Sequence, residues 1–349
     1  MSPYILCTLL ASIGLGTTIT VTSSHWLLAW MGLEIGTLAM VPLMARSHQP
    51  RAVEAAVKYF IAQATAAATL LLAAATNAWF TGEWDICQAS NPVSAALAVA
   101  SLAFKLGMAP LHLWLPEVLQ GLDLPTGWVL STWQKIAPFV LLTQLQASCS
   151  TPVVIALGVT SILVGGWGGL NQTQLRKVIA YSSIAHLGWM VLVVQFSPNL
   201  SLFALMIYIV LTSSLFLALT LNAVTDMNSL AISWYKAPGL TAVTPLILLS
   251  LGGLPPLTGF GPKWMILLEL SRQGLLAVAT LVAISSLLSL YFYLRVSYNA
   301  ALTMPPNSLP STSPPRFQTQ QKSFPLALST IMSLGLLPLM PALTVLLLQ

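Results

Sequence analysis

The chain has 349 residues, of which 56% are hydrophobic and only 6% are Asp, Glu, Lys or Arg. A soluble domain carries roughly 25% charged residues, because water must wet its surface, so this composition excludes a soluble globular protein. The net charge of +5 is small and forms no basic run, which argues against a nucleic-acid partner. Three widely separated cysteines and the lack of a histidine pair at ligand spacing indicate neither a disulfide framework nor a metal site.

Apolar segments long enough to cross a bilayer recur along the whole chain. A membrane helix needs about 20 mostly apolar residues, and the first begins at residue 3 without the features of a signal or transit peptide. The pattern predicts eleven spans, at residues 3–22, 26–44, 57–80, 93–116, 125–147, 152–170, 176–195, 199–221, 240–270, 274–298 and 323–346. We therefore expect an all-α fold, a polytopic membrane bundle of about eleven transmembrane helices.

The connections between the spans are short except for residues 299–322. This segment is rich in Pro, Ser, Thr and Gln and is predicted to form a surface loop. No other stretch has the composition of a soluble domain, so residues 1–349 are expected to form a single membrane domain.

The positive charges give this bundle an orientation. Lys and Arg collect in the short loops on the cytoplasmic or matrix side of a membrane. The chain has thirteen Lys and Arg residues. If it crosses the membrane eleven times, three of them fall inside spans and only Arg272 falls on the second side of the membrane. The first side holds Arg46, Arg51, Lys58, Arg176, Lys177, Lys236, Arg295, Arg316 and Lys322. This split supports the span count and predicts the N-terminus on the positive side and the C-terminus opposite.

Four charged residues, Glu34, Lys105, Lys135 and Lys263, lie inside predicted spans. Each would cost roughly 2.5–3.5 kcal/mol at a helix centre, so we expect them to face the bundle interior. One interpretation is a structural ion pair between Glu34 and a lysine, which leaves the surplus of lysines unexplained. The other is proton handling, because desolvation lowers the pKa of a lysine in general and a nearby carboxylate raises it. Lys58 lies near a span boundary and is expected to reach the interface.

The histidines are a weaker indication. His112 follows Lys105 by about two helical turns, on a similar face if the helix continues. His186 lies in the middle of the seventh span. Each is either a proton relay or a core residue with satisfied hydrogen bonds, and the sequence leaves both interpretations open. His25 and His48 lie at span ends and are expected at the interface.

Two spans carry clusters of Gly and Pro that should break their helices. In the fourth span, Lys105 is followed by Gly107, Pro110 and Pro116. In the ninth span, Lys263 is preceded by Gly252, Gly253, Pro255, Pro256, Gly259, Gly261 and Pro262. Broken backbone at membrane depth is tolerated only where protein or water lines it.

The two broken spans lie five spans apart, which predicts an internal repeat. Residues 1–147 and 152–298 would be repeats of five helices, followed by the loop and a C-terminal helix at 323–349. Because each repeat has an odd number of spans, the second copy crosses the membrane in the opposite orientation to the first. Interrupted helices at matching positions of such repeats mark the ion path of many transporters. The alternative is that Gly and Pro are simply common in membrane helices, but the lysine at each break favours the transporter.

Four stretches resemble one known family. They are SHWLLAWMGLEIGTLAMVPL (24–43), FKLGMAPLHLWLPEVLQGL (104–122), LRKVIAYSSIAHLGWM (175–190) and GGLPPLTGFGPKW (252–264). In order and spacing they resemble the family of mitochondrial NADH dehydrogenase (ubiquinone) subunit two, an antiporter-like membrane subunit of respiratory complex I. The resemblance extends over essentially the whole chain, and we expect a vertebrate form, such as that of a fish.

This resemblance implies proton translocation coupled to electron transfer from NADH to ubiquinone. The family's essential glutamate would be Glu34, its paired lysine Lys105 and its central lysine Lys135. Lys263 would be the lysine of the second broken helix. His112 and His186 remain candidate relays from their positions in the spans.

The resemblance also implies a location and partners. The chain itself would bind no cofactor, since NADH, FMN, iron–sulfur clusters and ubiquinone would belong to other subunits. Its partners would be other membrane-arm subunits of complex I and the lipid bilayer, with cardiolipin as one candidate lipid. The N-terminus would face the mitochondrial matrix and the C-terminus the intermembrane space.

Two other functions remain open at this point. One is a free-standing cation/proton antiporter of the same design, which would purify alone or with small partners. The other is a scaffold subunit that transports nothing, against which the intramembrane lysines argue.

Overall fold

The computed structural model describes residues 2–88, 91–235, 237–302 and 324–342, and within these ranges it contains helices and no extended strand. The α-helices are α1 Pro3–Thr22, α2 Trp26–Met44, α3 Pro50–Thr81, α4 Pro92–Leu106, α5 Trp114–Gly121, α6 Leu124–Ser131, α7 Trp133–Gln144, α8 Thr151–Gly168, α9 Leu175–Val194, α10 Pro198–Asn222, α11 Met227–Ile232, α12 Pro238–Gly252, α13 Phe260–Arg272, α14 Leu276–Leu302 and α15 Phe324–Gly335. The predicted all-α membrane fold is confirmed.

The predicted spans are formed by two kinds of helix. Seven of them, formed by α1, α2, α3, α8, α9, α10 and α14, are single helices long and apolar enough to cross a membrane. The other four are formed by shorter helices, namely α4 with α5, α6 with α7, α12 with α13, and α15. Most of the predicted loop, the end of the last span, and Lys236, Arg316 and Lys322 lie outside the described residues.

Some boundaries differ from the sequence prediction. Helix α3 begins at Pro50 rather than at residue 57, because proline has a helical backbone angle and its missing N–H is not needed in the first turn. Lys58 therefore lies inside a helix, not at its edge. Helix α14 continues into the predicted loop as far as Leu302, and the short helix α11 occupies a stretch predicted only as a connection.

The fifth span, predicted as one helix over 125–147, is interrupted at Thr132. Helices α6 and α7 meet there, with Thr132 at φ −111° and ψ −69°. Its Oγ1 donates to the Trp128 carbonyl oxygen at 2.7 Å, in competition with the helical hydrogen bonds. Pro138 removes a further backbone donor from α7. A threonine gives no Gly–Pro signal, so the prediction of one continuous helix was wrong at the turn before Lys135.

The contacts divide the chain into two compact units. The first is Met1–Ile162 with Leu187–Pro198, and it contains α1 to α7. The second is Leu163–His186 with Asn199–Gln349, and it contains α11 to α15. The charged and titratable candidates are distributed so that the first unit holds Glu34, Lys105, His112 and Lys135, and the second holds His186 and Lys263.

Glycines bring α1 and α2 of the first unit close together. A Cβ atom on Gly32 would lie 2.6 Å from Thr20 Cγ2 and 2.8 Å from the carbonyl oxygen of Gly16. Small residues of this kind let the backbones of membrane helices approach each other. The crossing holds α2, and with it Glu34, at a fixed place in the unit.

Replacing Gly32 by valine should therefore destabilise the protein by about 1–3 kcal/mol, because the added atoms meet backbone that cannot move aside. The matched control is Gly14→Val on α1, where a Cβ atom would have nothing within 4 Å. Yield and thermal stability of the purified protein measure both variants. Equal losses in the two would contradict the close-crossing explanation.

Candidate functional site

Lys105 lies in the last turn of α4, at the first helix break. Its side chain is buried, and its Nζ has no hydrogen-bond partner among the residues that the structure describes. The helix ends because Gly107 takes a left-handed conformation at φ 76°, which glycine adopts without strain. Gln63 Nε2 donates to the Lys105 carbonyl oxygen at 3.3 Å, and Trp114 Nε1 donates to that of Phe104 at 3.1 Å. The backbone of this helix end is fixed by its neighbours.

Glu34 lies half-buried on α2. One of its carboxylate oxygens accepts a hydrogen bond from Thr37 Oγ1 at 3.2 Å. Glu34 is close enough to Lys105 and Tyr59 to interact with them electrostatically. The described ion pairs do not include Glu34. The two members of the predicted pair are thus neighbours that do not touch.

Lys135 lies buried in the first turn of α7, just after the break at Thr132. The preceding residue, Gln134, donates from Nε2 to the carbonyl oxygen of Gly36 at 3.2 Å. This hydrogen bond ties the start of α7 to α2, the helix that carries Glu34. The Gln134 side chain therefore helps to fix Lys135 relative to the glutamate.

A small internal cavity lies between Lys105 and Lys135. Both lysines line it, and so do the polar side chains of Thr37, Gln63 and Gln134. Its volume of about 20 Å³ is sufficient for one water molecule. The cavity therefore brings the two lysines together with hydrogen-bonding side chains and room for one water molecule.

Lys263 lies in the first turn of α13, at the second helix break. Its Nζ donates to the carbonyl oxygen of Gly252, at the end of α12, at 2.7 Å. Gly253 ends α12 at φ 82°, and a Cβ atom there would lie 2.9 Å from Lys263 Cδ. A cation at a helix C-terminus is favoured by the partial negative charge of the free carbonyl groups. The lysine is therefore held against the end of α12.

The two candidate histidines lie in different surroundings. His112 is half-buried between α4 and α5, with Nδ1 3.3 Å from the carbonyl oxygen of Pro110. Because α4 ends at Leu106, the helix does not continue to His112, and the condition for a face shared with Lys105 is not met. His186 is half-buried on α9, with its ring centroid 5.6 Å from that of Tyr208.

Lys58 forms an ion cluster on the surface of the first unit. Its Nζ lies 2.8 Å from a carboxylate oxygen of Glu54, one turn earlier on α3, and 2.7 Å from one of Glu117 on α5. The Lys58 and Glu117 side chains are 43% and 55% exposed. Exposed pairs contribute only about 0–1 kcal/mol to stability, so the cluster matters more for where it holds α5 than for its energy.

The two helix breaks have the same layout, 146 residues apart. Helices α4 and α12 begin at a proline and end before a left-handed glycine at this offset, and α5 and α13 also begin at this offset. The residues Gly107, Pro110, Leu111 and Pro116 recur as Gly253, Pro256, Leu257 and Pro262. In this register Lys263 corresponds to Glu117, not to Lys105. The two lysines therefore lie on opposite sides of their breaks.

Sequence reasoning missed the uncharged polar residues around the lysines. Thr37, Gln63 and Gln134 line the cavity, and Tyr59 lies beside them. A glutamine inside an apolar span was the available signal, because a buried amide needs hydrogen-bond partners. Only charged residues and histidines were singled out, so these residues were overlooked.

The chain matches two family descriptions that together cover nearly its whole length. Residues 23–289 match "NADH:quinone oxidoreductase/Mrp antiporter, TM", and residues 290–344 match "NADH dehydrogenase subunit 2 C-terminus". The first match includes Glu34 and all three intramembrane lysines.

Individual relatives and solved structures agree with these matches. The chain is 60% identical to NADH-ubiquinone oxidoreductase chain 2 of Carassius auratus and 62% identical to that of Tetraodon nigroviridis, over 98% of each chain. It resembles a chain of respiratory complex I from Thermus thermophilus at 28% identity and a TM-score of 0.84, covering 99% of this chain and 80% of that one. A chain of an archaeal membrane-bound sulfane sulfur reductase shares the fold alone, with a TM-score of 0.82 at 20% identity. The chain belongs to the NADH-ubiquinone oxidoreductase chain 2 family, whose membrane domain is of the NADH:quinone oxidoreductase/Mrp antiporter type.

Proposed function

We propose that the chain translocates protons as a membrane subunit of NADH:ubiquinone oxidoreductase, respiratory complex I, in the mitochondrial inner membrane. The observation that carries this proposal is the cavity that joins Lys105 and Lys135 through the polar side chains of Thr37, Gln63 and Gln134. Electron transfer from NADH to ubiquinone elsewhere in the complex would supply the energy. In this proposal the chain carries no redox centre, and NADH, FMN, the iron–sulfur clusters and ubiquinone would be bound by other subunits.

In this proposal Glu34 controls the proton on Lys105. Burying an ammonium group is costly unless it is paired. When Glu34 and Lys105 approach, the pair holds the proton on Lys105. When they separate, the proton moves through the cavity to Lys135 and onward to Lys263, with His112 or His186 as relays. The separation of the pair in the structure supports the second of these states.

We further propose that residues 1–147 and 152–298 are inverted five-helix repeats. The common layout of the two breaks and the similar spacing of other helix starts support this, since α1, α2 and α3 begin at residues 3, 26 and 50 and α8, α9 and α10 at 151, 175 and 198. In transporters built from inverted repeats, interrupted helices at matching positions mark the ion path. In this arrangement the N-terminus faces the matrix, the C-terminus faces the intermembrane space, and cardiolipin is one lipid of the surrounding bilayer.

The experiment that separates this function from a scaffold role uses Glu34→Gln and Lys105→Ala in the assembled complex. Both variants should assemble, since each removes a charge from within the membrane. Both should lower the number of protons pumped per NADH oxidised, measured with a pH-sensitive dye in proteoliposomes. Normal assembly together with normal pumping in both variants would instead support the scaffold.

The free-standing antiporter predicts a different assembly. A chain of this family should run in a very large complex on a native gel and co-purify with NADH oxidation activity. Recovery of the chain alone, or with a few small partners, would favour the antiporter.

A further inference from the structure

Two openings in the first unit share a single residue as their common wall. The inner cavity, defined above by Lys105 and Lys135, is the smaller of the two, at about 20 Å³. An outer groove lies on the surface and is lined by Lys58, Ile61, Phe104, Leu111, Trp114 and Glu117, among others. Of the described residues, Trp114 alone lines both. Trp114 therefore lies between the outer groove and the cavity that holds the two lysines.

The ring of Trp114 is held by contacts on several sides. Its Nε1 donates to the Phe104 carbonyl oxygen at 3.1 Å, and its ring packs edge-on against Tyr59 with centroids 5.9 Å apart. A Cβ atom on Gly107 would lie 3.3 Å from Trp114 Cζ2, so a glycine here leaves room for the indole. An indole is a donor without an acceptor and cannot relay a proton. In this position it blocks the path from the groove to Lys105.

The position of Trp114 is coupled to the ion cluster at the groove. Trp114 is the first residue of α5, and Glu117 lies one turn later on the same short helix. Lys58 binds Glu117 across the gap between α3 and α5, while Gln63 of α3 binds the end of α4. Helix α3 thus clamps both sides of the break. A change in the Lys58–Glu117 pair would move the start of α5 and the indole with it.

We propose that Trp114 is the gate through which protons pass from the outer groove to Lys105. The half-exposed carboxylates of Glu117 and Glu54 exchange protons with water at the groove, with Lys58 and the nearby Arg51 balancing their charge. With the indole in the observed position the path is closed. When α5 shifts, water connects the groove to the cavity, and a neutral Lys105 amine accepts the proton. This inference rests on the proposed proton path through Lys105, but its test needs no turnover.

The test is passive proton leak in proteoliposomes that contain the assembled complex without NADH. An imposed pH gradient should decay several-fold faster with Trp114→Ala than with the unmodified chain. Trp114→Phe keeps an aromatic ring, so the pH gradient should decay no faster with it than with the unmodified chain. The matched control is Leu113→Ala, since Leu113 lines the groove but not the cavity, and it should also stay tight.

A double variant, Trp114→Ala with Lys105→Met, tests the route. If the leak passes over Lys105, the second change should restore a slow decay. The gate proposal would be overturned by a proton leak that persists in the double variant. It would also be overturned if the pH gradient decayed no faster with Trp114→Ala than with the unmodified chain. If Trp114→Ala does not assemble, Trp114→Leu is judged by the same two criteria. Failure of pumping in other variants does not bear on this result, because the leak is measured without electron transfer.

Discussion

Replacing Lys135 by methionine should abolish or sharply reduce proton pumping by the assembled complex. Lys135 is buried, lines the cavity with Lys105 and lies on the first turn of α7. Methionine has a similar shape but neither accepts nor releases a proton. Placing a charge at a helix centre costs roughly 2.5–3.5 kcal/mol, so the variant should assemble at least as well as the unmodified chain. The measurement is protons pumped per NADH oxidised in proteoliposomes.

The control Lys135→Arg separates charge from proton exchange. Arginine keeps the positive charge but does not deprotonate in proteins. It should therefore also lose pumping, whereas a merely structural cation would be replaced with little effect. Full pumping stoichiometry in the methionine variant would refute a role for Lys135 in the path.

The helix breaks at α4 and α12 were predictable because they rest on local chemistry. Gly107 and Gly253 adopt left-handed backbone angles, at φ 76° and 82°, and prolines follow each within a few residues. The sequence alone carries this information, because glycine suits a left-handed backbone angle better than any other residue type, and proline ends a helix by removing a backbone donor. The charged residues were predictable for a similar reason, as an ionisable group within an apolar span is costly wherever the helices pack.

The partners of these charges were not predictable from the sequence. Gln134 reaches Gly36 across almost a hundred residues of chain, and Gln63 reaches the carbonyl of Lys105. Such contacts depend on which helix faces pack together, and periodicity within a buried membrane helix does not specify this. The break at Thr132 was missed because neither a glycine nor a proline stands at that position.

The common layout of the two breaks changes the meaning of their charged residues. Glu117 and Lys263 occupy the same position, in the first turn of the second half-helix. A carboxylate is favoured at a helix N-terminus and an ammonium is not. Glu117 stays in place and binds Lys58 of α3, whereas Lys263 turns back to the carbonyl of Gly252. The same position therefore supports an ion pair with another helix at the first break and a lysine contact with the preceding half-helix at the second break.

Replacing Gly253 by alanine should consequently impair pumping through Lys263. The substitution forces a left-handed angle on a residue with a side chain, which costs about 1–2 kcal/mol. It also places a Cβ atom 2.9 Å from Lys263 Cδ and 3.0 Å from its Nζ. The lysine side chain must shift away from the added methyl group, which disturbs its hydrogen bond to the Gly252 carbonyl oxygen, so the proton pumping of the assembled complex should fall.

Gly274→Ala provides a matched control in the same unit. Gly274 also has a left-handed angle, φ 74°, but a Cβ atom there would meet nothing within 4 Å. Its replacement carries the same backbone strain without a contact to Lys263, so thermal stability should fall in both variants. Pumping per NADH oxidised should fall only in Gly253→Ala. If both variants pump alike, the loss of stability accounts for the whole effect, and the contact of Lys263 with the end of α12 has no part in proton transfer.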